Sequence, residues 1–163
     1  MLADMRAQVA SRTPELTARA ELLDRTGAIS LWFDAAKELR QGVGAVRGWV
    51  ATGVMAGVMG VTLVASEVAK LRYSVQRPFR QDPNLPTLGP IPHDHSYPSA
   101  HASMSAAGSE VLAKFAPERA DAYRALAAEV GDARVYSAVH FPTDVSAGAK
   151  LGRSIAQAFL KRL

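Results

Sequence analysis

Residues 134 to 144 read RVYSAVHFPTD, a stretch that places an arginine, a histidine and an aspartate at fixed intervals around a predicted helix start. Pro142 favours the first position of a helix, where its missing N–H costs nothing. His140 and Asp144 then lie four residues apart, so the carboxylate is able to hold one ring nitrogen of the histidine. Arg134 adds a planar fork of donors that matches phosphate oxygens. A His–Asp pair alone is as typical of a structural hydrogen bond as of a catalytic one.

A second polar stretch, YPSAH, covers residues 97 to 101. Ser99 is predicted to be the N-cap of a helix that begins directly after it. Free N–H groups in the first turn of a helix bind phosphate, and His101 lies in that turn. An ordinary helix cap is sufficient to explain Ser99 taken alone, so this stretch indicates a phosphate site only in combination with the other polar motifs of the chain.

The third element consists of Lys70, Arg77 and Pro78. Lys70 and Arg77 are seven residues apart, which predicts that they share one face of a helix and clamp an anion. Basic side chains near helix ends more often only reach for solvent, so this pair is weak evidence by itself.

Together the three elements follow the order K-x6-R-P, P-S-A-H and R-x5-H-x3-D, from Lys70 to Asp144. This order resembles the signature of the type 2 phosphatidic acid phosphatase superfamily, which includes bacterial acid phosphatases, lipid phosphatases and vanadium haloperoxidases. Two positions depart from it, because Ala100 replaces a glycine and Ala133 replaces a serine. An alanine still offers its N–H to phosphate if its φ is negative, and neither change removes a charge.

The resemblance implies a metal-independent phosphatase that hydrolyses phosphate monoesters through a phosphohistidine intermediate. His140 would be the nucleophile, Asp144 would orient it, and His101 would act first as general acid and then as general base. No cofactor is implied, and vanadate would be an inhibitor or, in a haloperoxidase, the prosthetic group. The phosphoryl group would be held by five residues: Lys70, Arg77, Ser99, Ala100 and Arg134.

The segment from Arg77 to Pro98 is predicted to be a long loop over one end of the molecule, since it holds six of the nine prolines. Its last part supplies candidates for the substrate entrance, although solvated loop residues would look the same. Two of these candidates are histidines, and they form only a weak ligand set for a metal. The candidates are His93, Asp94, His95 and Tyr97.

The whole chain, residues 1–163, is predicted to be one all-α domain, a bundle of about six helices with the acid phosphatase/vanadium haloperoxidase-like core that the resemblance implies. Thr13 and Pro14 mark one helix start, and a long helix is expected from about residue 45 to residue 76. Residues 48 to 66 carry no charge over 19 positions, which is the threshold length for a membrane span. We expect instead a central helix buried on all sides of a soluble bundle.

Composition limits the classes of partner. The formal net charge of +4 and the pI of about 9.7 favour anionic ligands, but the basic residues are scattered, which argues against nucleic acid. We expect a small phosphate ester as substrate, with membrane association left open and a homodimer compatible with the Ala-rich helices. The absence of cysteine excludes thiolate chemistry. The first ten residues show no secretory signal, so a soluble protein of unknown compartment is the default expectation.

Four other functions share some of these residues. A vanadate-dependent haloperoxidase would use the same ligands, and a lipid phosphatase at a membrane would use the uncharged helix. A non-catalytic module that binds phosphorylated ligands is also compatible with the basic side chains. A serine hydrolase built on Ser99, His140 and Asp144 lacks the G-x-S-x-G elbow.

Overall fold

The computed structural model describes residues Met1–Leu163 and contains α-helices, one 3-10 turn and no strand. The all-α prediction is confirmed, and the helix count exceeds the predicted six because a helix at the N-terminus and a single turn in the proline-rich loop are added. The helices are α1 (Leu2–Ala10), α2 (Pro14–Thr26), α3 (Ser30–Val43), α4 (Ala45–Tyr73), α5 (Pro78–Gln81), α6 (Ala100–Phe115), α7 (Ala120–Tyr136) and α8 (Pro142–Leu160).

Helix α6 lies at the centre, packed against α4, α7 and α8. Most of its side chains are small and buried, which lets its neighbours approach on every side. Larger apolar side chains fill the space between α3, α4 and α6. The indole of Trp32 is fully buried there, and its Nε1 donates to Oγ of Ser105 at 3.0 Å. The core therefore satisfies its one indole donor while burying the ring.

Two glycines bring the backbone of α8 directly onto α6. A Cβ at Gly152 would lie 1.9 Å from the carbonyl oxygen of Ser103, and one at Gly148 would lie 2.4 Å from that of Ser99. Only a residue without a side chain permits this approach. At the start of the same contact the N–H of Ser99 donates to the carbonyl of Asp144 at 3.0 Å. The glycines thus hold the first turn of α6 beside the first turn of α8.

The helix starts follow the sequence signals. Oγ1 of Thr13 accepts a hydrogen bond from the N–H of Leu16 at 3.3 Å, and Oγ of Ser99 accepts one from Ala102 at 3.4 Å. Pro142 opens α8 as predicted. The end of α4 differs, because Ser74 adopts a left-handed conformation with φ 48° and stops the helix three residues before the expected end.

The expectation that α4 is buried on all sides is wrong. Its inner face packs on α3, α6 and α8, but no element covers its outer face, where Val64 is 65% exposed and Val68 is 60% exposed. Gly53 and Gly57 are also exposed on this helix. A bundle this small has too few helices to surround a 29-residue member. Helix α4 with the residues that follow it to Gln81 is long and apolar enough to cross a membrane, judged by length and composition alone.

Candidate active site

A cavity of about 270 Å³ opens between α4, the turn from α2 to α3, the proline-rich loop and the first turn of α6. It collects side chains from all three sequence elements, although these elements are up to 70 residues apart. One wall is apolar and is formed by Ala28, Ile29, Leu63, Pro92 and Met104. The polar part of the lining consists of Glu67, Lys70, Arg77, Asp94, His101, Arg134 and His140, with Ala100 beside them.

Lys70 and Arg77 meet at the cavity, but not through helical spacing. Helix α4 ends at Tyr73, and Arg77 has the extended backbone that the following Pro78 imposes. The prediction that both cations share one helix face is therefore wrong. The chain instead turns after Ser74 and brings Arg77 back, so that its Nη1 donates to the carbonyl of Val139 at 2.8 Å.

The carboxylate of Asp94 bridges these two cations. Oδ1 accepts from Nη2 of Arg77 at 2.6 Å, and Oδ2 accepts from Nζ of Lys70. Nζ of Lys70 also donates to Glu67 at 2.9 Å. Partial burial alone would raise the pKa of Asp94, but the two cations outweigh it and lower the pKa to about 2. Of the four candidates for the substrate entrance, Asp94 is thus the one that contacts two of the predicted phosphate ligands, Lys70 and Arg77.

Arg134 is only 3% exposed, which lies between the values for Arg77 and Lys70. Burial lowers its pKa to about 10. Its Nη1 pairs with Oδ1 of Asp24, at the end of α2. Its Nε has no partner at all. A buried guanidinium N–H without an acceptor is costly, which suits a position where a ligand oxygen completes the bonding. Nothing in the sequence signals Asp24, because its partner is 110 residues away.

The ring of His140 lies in a tight turn between α7 and α8. The N–H groups of Val139 and His140 donate to the carbonyl of Arg134 at 3.2 and 3.3 Å, and Ala138 takes a left-handed φ of 59°. Burial lowers the pKa of His140 to about 3, although Asp144 opposes the change. Its Nε2 lies 3.0 Å from Nη1 of Arg77, and its Nδ1 lies 3.7 Å from Oδ2 of Asp144. Both the burial of the ring and the guanidinium donor at Nε2 favour the neutral imidazole.

His101 faces the same cavity from the first turn of α6. Its Nε2 lies 3.3 Å from the backbone carbonyl of Asp24. Burial and the positive charges of Lys70 and Arg77 together lower the pKa of His101 to about 4, while Asp94 opposes them. An anion bound by the two cations would remove part of that repulsion and so raise the pKa of His101.

The structure does not bring every candidate to the cavity. Ser99 is fully buried and caps its helix, so its role as a phosphate ligand stays a prediction. His93 and His95 do not line the cavity, and Tyr97 packs edge-on against Tyr73, with ring centroids 5.2 Å apart. No group of three or more His, Asp or Glu side chains has the geometry of a metal site.

The arrangement suits a tetrahedral oxyanion. Three buried cations, Lys70, Arg77 and Arg134, line one small volume and would face separate oxygens, as charge spread over equatorial oxygens requires. The same cavity holds two imidazoles, those of His101 and His140. An imidazole is a side chain that can act as a nucleophile or exchange a proton near neutral pH.

Comparisons with known proteins bear on the family and the fold of the chain. The family model described as "PAP2 superfamily" matches residues 51–162. The undecaprenyl-diphosphatase of Sulfolobus acidocaldarius is 36% identical over 97 residues, which are 59% of this chain and 47% of that protein. The chain thus matches less than half the length of this curated relative.

Two solved structures share the fold. The transmembrane PAP2 type phosphatidylglycerolphosphate phosphatase from Bacillus subtilis has a TM-score of 0.72 at 24% identity, covering 99% of this chain and 85% of that one. A bacterial vanadium-dependent iodoperoxidase has a TM-score of 0.83 at 18% identity, covering 99% of this chain and 47% of that one.

Proposed function

The chain belongs to the PAP2 superfamily, and on this premise we propose that it is a phosphatase that transfers a terminal phosphoryl group to His140 and then to water. One observation carries the proposal. Nε2 of His140 accepts a hydrogen bond from the donor-only guanidinium of Arg77 at 3.0 Å, so its lone pair faces the cluster of cations and is freed for attack when Arg77 donates to a phosphoryl oxygen instead.

The first step forms a bond between Nε2 of His140 and phosphorus as the bond from phosphorus to the leaving oxygen breaks. His101 gives a proton to that oxygen, so the departing group leaves as a neutral hydroxyl compound. The second step reverses these roles, because His101 takes a proton from water while the water oxygen replaces Nε2 on phosphorus. Lys70, Arg77 and Arg134 neutralise the oxygens throughout.

These cations perform the charge stabilisation that a metal supplies in other phosphatases, so the proposed mechanism needs no cofactor. Before the first step, the substrate must displace the carboxylate of Asp94 from Lys70 and Arg77. Ala100, the first residue of α6, lines the cavity, and its backbone N–H is proposed as a further donor for a phosphoryl oxygen.

The leaving group is proposed to be apolar, as in a lipid phosphate. Ile29 lies on the apolar cavity wall and is 52% exposed. Leu63 and Glu67 line the cavity, while Val64 and Val68 beside them extend an exposed apolar surface along α4. A hydrocarbon chain could leave the cavity along this surface at little cost. The relative named undecaprenyl-diphosphatase and the transmembrane neighbour point the same way, and they give no support to the expectation of a soluble protein acting on small polar esters.

The test is phosphate release by the purified full chain in EDTA, with p-nitrophenyl phosphate and with a long-chain lipid phosphate in mixed micelles. We expect turnover of both, a higher kcat/KM for the lipid, inhibition by vanadate and loss of turnover in His140→Ala. Lys150→Ala is the control, because Lys150 is an exposed lysine on α8 outside the cavity lining.

Three outcomes would contradict the proposal in different ways. Turnover that survives in His140→Ala would exclude His140 as nucleophile. Equal kcat/KM for the two substrates would exclude an apolar leaving-group site. No release of phosphate, together with vanadate-dependent oxidation of iodide by peroxide, would identify a haloperoxidase.

A further inference from the structure

The proton on the ring of His140 is located by its neighbours. Nη1 of Arg77 lies 3.0 Å from Nε2, and a guanidinium has only donors. Nε2 is therefore the acceptor, and the neutral ring carries its proton on Nδ1. Nδ1–H is also the tautomer that a nucleophilic Nε2 requires.

A hydroxyl lies beside both that proton and the carboxylate that would hold it. Oδ2 of Asp144 is 3.7 Å from Nδ1 of His140, which is beyond a normal N–H···O hydrogen bond. Oγ of Ser96 is 2.5 Å from the same Oδ2 and 3.4 Å from Nδ1. The hydroxyl is thus hydrogen-bonded to the carboxylate and within a long hydrogen bond of the ring.

The direction of both hydrogen bonds follows from the groups involved. Asp144 also accepts the N–H of Phe141 at 2.9 Å, as an ionised carboxylate does. Burial would raise the pKa of Asp144, but the nearby His140 ring and the hydrogen bonds from Ser96 and Phe141 lower it below the ordinary value. A carboxylate only accepts, so the Ser96 hydroxyl donates to it and leaves its lone pairs for the Nδ1 proton.

Ser96 is itself held firmly. It is fully buried, and its N–H donates to the carbonyl of Val75 at 2.8 Å. It lies three residues before Ser99, outside the P-S-A-H element, so its hydroxyl is an addition to the residues that the sequence identified.

We propose that Ser96 is a positioning residue of the phosphatase reaction, which connects the Nδ1 proton of His140 to the carboxylate of Asp144; this role rests on the proposed function. When Nε2 bonds to phosphorus, the ring becomes cationic and its Nδ1–H becomes a stronger donor. The Ser96 hydroxyl, which is hydrogen-bonded to the carboxylate of Asp144, then accepts this stronger hydrogen bond and so stabilises the cationic ring. The proton stays on Nδ1, and Ser96 touches neither the substrate nor the reacting atoms.

The kinetic test compares Ser96→Ala with Ser109→Ala. Ser109 is an equally buried serine, but its hydroxyl donates only to Ala106 of its own helix, at 2.9 Å. We expect kcat of Ser96→Ala to fall about 10- to 100-fold, as loss of a hydrogen bond to a charged group predicts. KM should stay within about twofold, because Lys70, Arg77 and Arg134 remain in place. Ser109→Ala should keep both constants.

The spectroscopic test does not depend on turnover. In the vanadate-loaded full chain, the Nδ1 proton of His140 should give a downfield proton resonance, assigned by its loss in His140→Ala. We expect Ser96→Ala to exchange this proton with solvent about tenfold faster or to lose the resonance. Ser96→Cys keeps the volume with a weaker donor and should lie between wild type and alanine, which covers the case where alanine fails to fold.

Unchanged kcat with an unchanged Nδ1 resonance in a folded Ser96→Ala variant would overturn the proposal. A rise in KM alone, with the resonance kept, would also overturn it, because Ser96 would then support the phosphate ligands instead. If the wild type hydrolyses no ester, the phosphatase proposal fails. The effect of Ser96→Ala on the Nδ1 resonance, measured with and without vanadate, then tests the contact of Ser96 with His140 independently of turnover.

Discussion

The carboxylate of Asp94 lies 2.6 Å from Nη2 of Arg77, so a loop residue of the protein occupies the place where an anionic ligand would meet that guanidinium. Asp94 comes from the proline-rich loop, and its side chain is 40% exposed. It is therefore able to move away without disturbing the core.

Asp94→Asn should bind orthovanadate about tenfold more tightly than wild type, a difference of about 1.4 kcal/mol. The ligand then displaces a neutral amide instead of a carboxylate from Lys70 and Arg77. Isothermal titration of the full chain would measure this, with the fully exposed Asp121→Asn as control. Weaker binding in Asp94→Asn would show instead that Asp94 holds the two cations in position.

Asp24→Ala should lower the free energy of unfolding by about 3 kcal/mol, because it leaves the buried guanidinium of Arg134 without its carboxylate. Glu129→Ala breaks the exposed pair of Arg19 and Glu129 and should cost less than about 1 kcal/mol. Urea unfolding of both variants measures the contrast. Equal losses would mean that the Asp24–Arg134 pair contributes no more than a surface ion pair.

Stability should fall as the pH drops from 7 to 5. The pKa of His101 is lowered from 6.5 to about 4 in the folded chain, so the unfolded state binds more protons between these values. This histidine contributes its full stability above pH 6.5 and loses about 2 kcal/mol of it at pH 5. The buried, neutral His140 acts in the same direction.

A fall in Tm of about 4–8 °C between pH 7 and pH 5 is the expected result for a chain of this size. His101→Gln, which cannot titrate, should reduce this fall. A variant with the same pH slope as wild type would show that His101 does not carry the effect.

Gly152→Ala and Gly57→Ala should change stability in opposite directions. A Cβ at Gly152 would meet the Ser103 backbone at 1.9 Å, so α8 must move away from α6. We expect a loss of about 2 kcal/mol or more, as for other overpacked contacts. Gly57 has no atom within 4 Å of such a Cβ, so alanine there should stabilise α4 by about 0.5–1 kcal/mol. Thermal unfolding of the two variants tests the predicted opposite signs.

Sequence reasoning was most successful where the signal is local. The caps at Thr13, Ser99 and Pro142 depend on hydrogen bonds within a few residues, and the all-α class follows from helical periodicity. Lys70 and His140, which the three-part motif assigned to one site, line the same cavity, and their roles in that site stay a prediction.

Sequence reasoning failed on the exact end of α4 and on how much of α4 is buried. The seven-residue spacing of Lys70 and Arg77 predicted a shared helix face, but the left-handed Ser74 ends α4 between them. The uncharged stretch in α4 predicted full burial, but the number of helices around it decides burial, and that number depends on how the rest of the chain packs.

By itself, then, the sequence predicted which residues would carry the chemistry and determined where helices such as α2, α6 and α8 begin, since these signals lie in short stretches of the chain. Only the tertiary structure decided their immediate partners: Asp24 for Arg134, Asp94 for Lys70 and Arg77, and Ser96 beside His140 and Asp144. These contacts join residues 17 to 110 positions apart. They form because α2, the loop and α8 pack around α6, and no local pattern records that packing.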